Sequence, residues 1–420
     1  MSFFDNHYYY PNKILLSIIG QWPFQSRLEG NIMFAVTFIS FVSYAFIEIW
    51  GLIAGISDLN IIMENFSPFL VLCYLIINLL YCAFTKDKMK VFLENIEETW
   101  KMKPAGPEKE ILQCYAEKSR AFTIQFVIAL YVTFVFYTMP SGVARWMYKL
   151  FPTNETYRGK FMYRIEHVLD MDKYFNLLML HGTIAVFFMV SVAIGVTTVF
   201  TLCTLHICAL FECIRYNVEC IRSTDPVLLE PNIKDDEMYH DLIACIKSYK
   251  HALKLSDILT STYTFAFFFH LGDVVISMSF GAAEVNIKIK YKNLNYSCVF
   301  IHVEYLIMLC FKLILVDIEL DAILRIVICN LAQLFHMYCL CMISQKLTDH
   351  SSGVHDVIYS CDWYRMSLRS RRLVMLTLMR SNKPYQIKAA KMFVMSMETF
   401  SSILKASLSY FTVLTSMQTD

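Results

Sequence analysis

Runs of about 20 mostly apolar residues, separated by polar stretches, recur along this 420-residue chain. A helix needs about 20 such residues to cross the ~30 Å hydrocarbon core of a bilayer. Seven segments meet the requirement: 31–54, 66–85, 121–140, 177–202, 259–280, 322–344 and 392–414. The fourth sits in a longer uncharged stretch, 174–211, which predicts a helix that tilts or runs on past the membrane. One further apolar stretch, 298–316, is interrupted by Glu304 and Lys312.

Charge decides whether that stretch is an eighth crossing. Segment 346–391 holds nine Lys/Arg against three acids, and segment 86–120 holds eight Lys/Arg. The excess of Lys and Arg on cytoplasmic loops puts both segments inside. The connection 56–65 has no Lys or Arg and belongs outside. Seven spans with a cytoplasmic N-terminus and an extracellular C-terminus satisfy all three, whereas eight would move the most basic segment outside. Residues 298–316 are therefore expected in a re-entrant or surface position. The sequons at Asn65, Asn154 and Asn295 all fall on the expected outer side. Asn154 and Asn295 are the expected glycosylation sites; Asn65, close to the membrane and followed by Pro68, is expected to stay unused. The N-terminus does not read as a signal peptide, because its apolar run at 14–19 is too short, so the first span is expected to act as its own insertion signal.

Composition agrees with a lipid-embedded chain. Hydrophobic residues make up 56% and charged residues 17%, against about 25% charged in soluble domains; the mean hydropathy is +0.46. The fold class is all-α, a single polytopic membrane domain over residues 1–420. The net charge of +1 carries no nucleic-acid signal. The 14 cysteines lie mostly in apolar runs and lack metal-ligand spacing. No phosphate-binding loop, nucleophile elbow or zinc-protease motif is present, so no enzyme, metal or cofactor is expected. A seven-span chain with an internal N-terminus is inverted relative to a G-protein-coupled receptor. A transporter remains a rival, although the chain shows neither an internal repeat nor many Gly/Pro-broken spans.

The last span is unusual. Glu398 and Lys405, seven residues apart, share one helical face, and Ser402, Ser409, Thr412 and Ser416 continue it. Phe400, Ile403, Leu404, Phe411 and Leu414 form the opposite side. A water-filled pathway and a polar seam against another helix both fit this pattern. Val413 and Met417 stand beside the stripe near its outer end, where apolar rings can gate by dewetting and where lipid contact is the plainer role. Lys405 facing a lumen would repel cations, so a neighbouring helix or Glu398 is its alternative partner.

The C-terminal region runs Trp363, Arg369-Ser370-Arg371-Arg372, Ser381-Asn382-Lys383-Pro384, Phe400, Ile403-Leu404-Lys405, Ser409-Tyr410-Phe411-Thr412. This order resembles the C-terminal signature of insect odorant receptors, and residues 167–181 resemble the segment before that family's fourth span. The resemblance implies a tuning subunit of a ligand-gated, poorly selective cation channel in the plasma membrane of a sensory neuron. It implies assembly with a shared odorant co-receptor into a heterotetramer, with pore and gate residues Glu398, Lys405, Ser409, Thr412, Val413 and Met417. It also implies a small volatile organic ligand bound in the outer half of the bundle, between spans two to six. The family pattern is departed from at 281–321, where the connection is longer than expected. Residues 288–320 are either a lineage-specific insertion or an intron retained in the gene model; a transcript containing these codons would remove the second reading.

A volatile ligand calls for an apolar, aromatic pocket with few polar groups. The expected lining residues are Tyr74, Phe134, Phe136, Tyr137, Trp146, His181, Phe187, Phe188 and His270. Phe69, Asp273, Asn330 and Gln333 lie at similar depth. Tyr137 and Trp146 could equally be interface anchors, and His270 and Asp273, at i and i+3, could pair with one another.

Overall fold

The structure, a computed structural model, describes residues 3–150, 161–162, 165, 168–221, 236–292 and 318–416. Its helices are α1 (Tyr10–Ile18), α2 (Arg27–Ala54), α3 (Leu59–Phe84), α4 (Lys86–Met102), α5 (Pro107–Leu150), α6 (Met171–Cys220), α7 (Glu237–Lys292), α8 (Ile318–Ser360), α9 (Leu368–Ser381) and α10 (Met397–Ser416). Six of them, α2, α3 and α5–α8, are long and apolar enough to cross a membrane. The seventh expected span corresponds to α10, with 20 residues.

The first six expected spans are, to within a residue, parts of longer helices. At 1.5 Å per residue, the 50 residues of α6 and the 56 of α7 run about 75 and 84 Å, well beyond a ~30 Å hydrocarbon core. The extension of α7 is amphipathic: Leu242, Cys245, Tyr249, Ala252 and Leu255 are buried at steps of three and four, between charged residues. Such a stretch packs as a soluble helix does, on one stripe. Helices α4 and α9 and the extensions of α5 to α8 gather at the end carrying the two basic segments. There Asn217 Nδ2 donates to Glu108 Oε1 at 2.7 Å, and Tyr115 Oη lies 3.2 Å from His350 Nε2.

One carboxylate organises two helix starts at this end. Asp236 Oδ1 accepts from the Tyr239 amide at 3.0 Å and caps α7, while Oδ2 accepts from Ser367 Oγ at 2.6 Å. Ser367 itself caps α9, its oxygen accepting from the Ser370 amide at 3.3 Å. Both side chains are buried. Asp236→Ala removes a cap and a charge-assisted hydrogen bond, together about 3 kcal/mol. Its expected signature is a thermal-unfolding midpoint several degrees lower in detergent-solubilised protein.

The approach to α10 differs from the expected continuous span at 392–414. Residues 392–395 are apolar, but Phe393–Val394 pairs with Lys388–Ala389 in a two-stranded antiparallel hairpin. Ala390 and Lys391 turn it with φ of 47° and 62°. Left-handed residues without a glycine cost about 1–2 kcal/mol each, so packing must hold them. Ala390 N donates to Thr264 O at 3.1 Å and Thr264 Oγ1 to Lys388 O at 2.8 Å, while Ile387, Ala389 and Met395 are fully buried. Tyr385 Oη reaches Asp257 Oδ1 at 2.9 Å and Thr260 Oγ1 at 3.0 Å on α7. Burial holds the Tyr385 phenol above its ordinary range, so it stays a donor. Helix α10 starts only after this clamp, where Ser396 Oγ accepts from the Thr399 amide.

Asn65 is fully buried within α3. Asn154, Asn295, Met417 and the stretch 298–316 lie outside the described residues, as does most of 288–320.

Candidate functional site

A cavity of about 160 Å³ lies between α2, α3, α5, α6, α7 and α8. Each of the four helices that build most of its wall contributes a single face. Leu130, Thr133, Phe134 and Tyr137 come from α5, Val186, Met189, Val190 and Ala193 from α6, and Cys329, Ala332, Gln333 and His336 from α8, each set at i, i+3, i+4 and i+7. Helix α3 adds Pro68, Val71, Tyr74 and Leu75. Pro68 has no N–H to donate to the preceding turn, which loosens α3 where it borders the cavity.

The wall is mostly apolar; besides the hydroxyls of Tyr44, Thr133 and Tyr137, its polar groups gather at one corner, built by α7 and α8 beside Tyr74. The His270 ring stacks on Tyr74 with centroids 4.5 Å apart and meets His336, also at 4.5 Å. Thr197 Oγ1 holds His336 Nε2 at 2.6 Å. Ser277 Oγ lies 2.8 Å from Gln333 Oε1, which turns Gln333 Nε2 toward Asp273 Oδ2 at 3.5 Å. His270 and Asp273 are 1% and 7% exposed. Their closest ionic approach is 4.0 Å, too long for a hydrogen bond, so the expected pairing is loose at best. Among the described residues, neither ring nitrogen of His270 and not Asp273 Oδ1 has a hydrogen-bond partner.

Of the residues expected at the pocket, Tyr74, Phe134, Tyr137 and His270 line it, as do Asp273 and Gln333. The others stand elsewhere. Phe136 is one position off the lining face of α5 and is 43% exposed. Phe187 is turned toward Tyr131 and Phe134 at 5.8 and 6.2 Å, behind the wall, and Phe188 packs beside it at 5.6 Å. His181 Nε2 is 2.8 Å from Ser43 Oγ and faces α2. The side chain of Trp146 lies outside the described residues. Asn330 packs against Gly281, where an added Cβ would fall 2.5 Å from Asn330 Nδ2. Tyr44 of α2 lines the cavity without having been expected, because the pocket was assigned to spans two to six.

Helix α10 packs against α7 and α8. Its inward face includes the buried Ile403 and Ser407, with Ser279 Oγ donating to Ser407 O at 3.3 Å. Glu398, Ser402, Lys405, Ser409, Thr412 and Val413 are exposed along the other side. The hydroxyls of Ser402, Ser409 and Thr412 donate to their own helix, to Glu398 O, Lys405 O and Ser409 O at 3.0, 3.0 and 2.7 Å.

Six membrane-length helices around a half-open, mostly apolar cavity define a multi-pass membrane protein. A family model described as the 7tm odorant receptor matches residues 58–310 and 303–408, and the chain belongs to that family. The two matched stretches meet in the connection between α7 and α8. The chain is 35% identical over 88 residues to the odorant receptor coreceptor of Drosophila melanogaster, 21% of this chain and 18% of that protein. It is 34% identical over 97 residues to odorant receptor 46a, isoform B, of the same fly, 22% of this chain and 25% of the relative. These matches therefore span a quarter or less of the relatives' length. The fold is shared along almost the whole chain with olfactory receptor OR5 of Machilis hrabei, solved in complex with eugenol: TM-score 0.73, 12% identity, 97% of each chain covered. The protein is a receptor of this family and not an enzyme.

Proposed function

We propose that this chain is the tuning subunit of an odorant-gated, non-selective cation channel. It sits in the plasma membrane of a sensory neuron with its N-terminus inside and its C-terminus outside, and α10 is its seventh span. It assembles with the odorant co-receptor as a heterotetramer, and a small volatile ligand occupies the cavity.

The observation that carries the pore reading is the orientation of α10. Its apolar side packs on α7 and α8, and its stripe of Glu398, Ser402, Lys405 and Ser409 is turned to the outside of this chain. Charged groups at membrane depth are expensive in lipid, which favours water or a partner subunit facing that stripe. The back-bonded hydroxyls add a sign preference. With their protons donated to α10's own carbonyls, the remaining lone pairs of Ser402, Ser409 and Thr412 are suited to passing cations. Lys405 opposes that preference unless Glu398, two turns away, or a neighbouring helix offsets it. Opening follows if ligand binds the open arrangement of α7 and α8 more tightly, since only that difference shifts the equilibrium. Both helices contact the cavity and α10. The gate is the apolar pair Val413 and Met417.

Whole-cell current tests this reading. Cells expressing the chain with a co-receptor should give a fast cation current to some member of a broad odorant panel. Cells expressing this chain alone should give little. Current of equal size without the co-receptor would refute the subunit assignment. Endoglycosidase treatment should shift the mobility of the protein through Asn154 and Asn295.

A further inference from the structure

We infer that the cavity is tuned to a small hydroxyl-bearing ligand, an alcohol or phenol with about one ring's bulk. This rests on the proposal that the cavity is the odorant site, and it concerns which chemistry that site prefers.

Volume sets the size. The cavity of about 160 Å³ is close to the ~150 Å³ apolar cavity that takes benzene in an engineered protein. A single ring with a one- or two-atom substituent fills this volume.

The polar corner sets the functional group. His270 is wedged between the rings of Tyr74 and His336, each 4.5 Å away, so its plane is fixed before ligand arrives. An imidazole in either neutral tautomer offers one donor and one acceptor, and neither His270 nitrogen has a partner among the described residues. One turn on, Asp273 Oδ1 is also unpartnered, while its Oδ2 and Gln333 are already engaged with each other. The corner therefore lacks both a donor and an acceptor. A hydroxyl supplies both, accepting from the imidazole N–H while donating to Asp273 Oδ1. A carbonyl or ether can only accept, and a hydrocarbon does neither. Each leaves a buried polar group unpaired in the complex, a difference worth about tenfold in binding. An ammonium would meet Asp273 but would bring a charge into a mostly apolar space.

Benzyl alcohol, ethylbenzene, benzaldehyde and benzylamine have the same number of heavy atoms and differ in this one group. The test measures the concentration of each that half-maximally raises the thermal-unfolding midpoint of the full chain, co-purified with the co-receptor in lipid nanodiscs. Benzyl alcohol should act at about tenfold lower concentration than ethylbenzene or benzaldehyde. In His270→Phe, which keeps the stacked ring, that ratio should fall to near one. Asp273→Leu should reduce it as well, and it provides a second variant if the first folds poorly. Equal potency across the series, benzylamine as the strongest ligand, or no shift from any of the four would overturn the inference. The same compounds are applied to cells for current. Stabilisation selective for benzyl alcohol with no current from any odorant supports the site and counts against the channel reading. Current from odorants without a hydroxyl preference does the reverse.

Discussion

Odorant-evoked current is expected to disappear in Ala332→Phe. Ala332 lies on the lining face of α8, between Cys329, Gln333 and His336. The substitution hangs a phenyl ring from that face into a space of about 160 Å³, and a cavity of this size holds about one benzene. The side chain thus takes the place of the ligand. Because it fills an existing void, the overpacking penalty is small, and the protein should reach the surface in normal amounts. Half-maximal concentrations should rise at least ~100-fold, as expected when a bound ring must be excluded outright and the site's apolar burial is lost. The control is one residue away: Leu331 is 59% exposed on α8, so Leu331→Phe points elsewhere and should leave the concentration–response curve within about twofold, as for surface substitutions generally. An unchanged response in Ala332→Phe, with surface biotinylation equal to wild type, would place the ligand outside this cavity.

The second large effect is expected at the far end of α10. Val413 is 53% exposed and continues the stripe of Ser409 and Thr412. If four such helices face one axis, its isopropyl group narrows and dries the pore, and truncation lets water through. Val413→Ala should raise the ligand-independent current several-fold, and adding Met417→Ala should raise it further. The measurement is the holding current blocked by a pore blocker, normalised to surface protein. Wild-type basal current and unchanged ligand sensitivity in both variants would move the gate elsewhere.

The first six apolar runs fall in α2, α3 and α5–α8, the helices long and apolar enough to cross a membrane, because a bilayer imposes a minimum run of uncharged residues. It did not reveal the extensions. Residues 237–254 of α7 mix lysines and acids with apolar positions and look like a loop to any average over composition, although their burial at three- and four-residue steps is helical. The start of α10 was obscured for the opposite reason: residues 392–395 are apolar enough to extend a span, but their burial is achieved in a hairpin against α7.

The cavity was partly legible. Topology brought Tyr74, Phe134, Tyr137 and His270 to its depth, and depth is what a sequence without contacts can supply. Rotation is harder, since one residue turns a side chain by about 100° around the helix. That single step separates Phe136 from Tyr137, and it separates Phe187 from Val186. Attention to aromatics also hid the small lining residues Thr133, Ala193 and Ala332, which create the space the rings surround. The signal was available in the i, i+3, i+4, i+7 spacing: with Tyr137 placed on the wall, Leu130, Thr133 and Phe134 follow. The missing partners of His270 and Asp273 could not be read from the chain, because they depend on how Gln333, Ser277 and His336 pack.

The most direct test of the channel reading is an outside-out membrane patch from cells expressing this chain with the co-receptor, bathed on its inner face in nucleotide-free solution. The account predicts odorant-evoked single-channel openings carried by both sodium and potassium, appearing within milliseconds of the ligand and unaffected by the missing GTP. A patch that stays silent while intact cells from the same dish respond to the same odorant would contradict it, because the signal would then require a soluble messenger rather than a pore in the receptor itself.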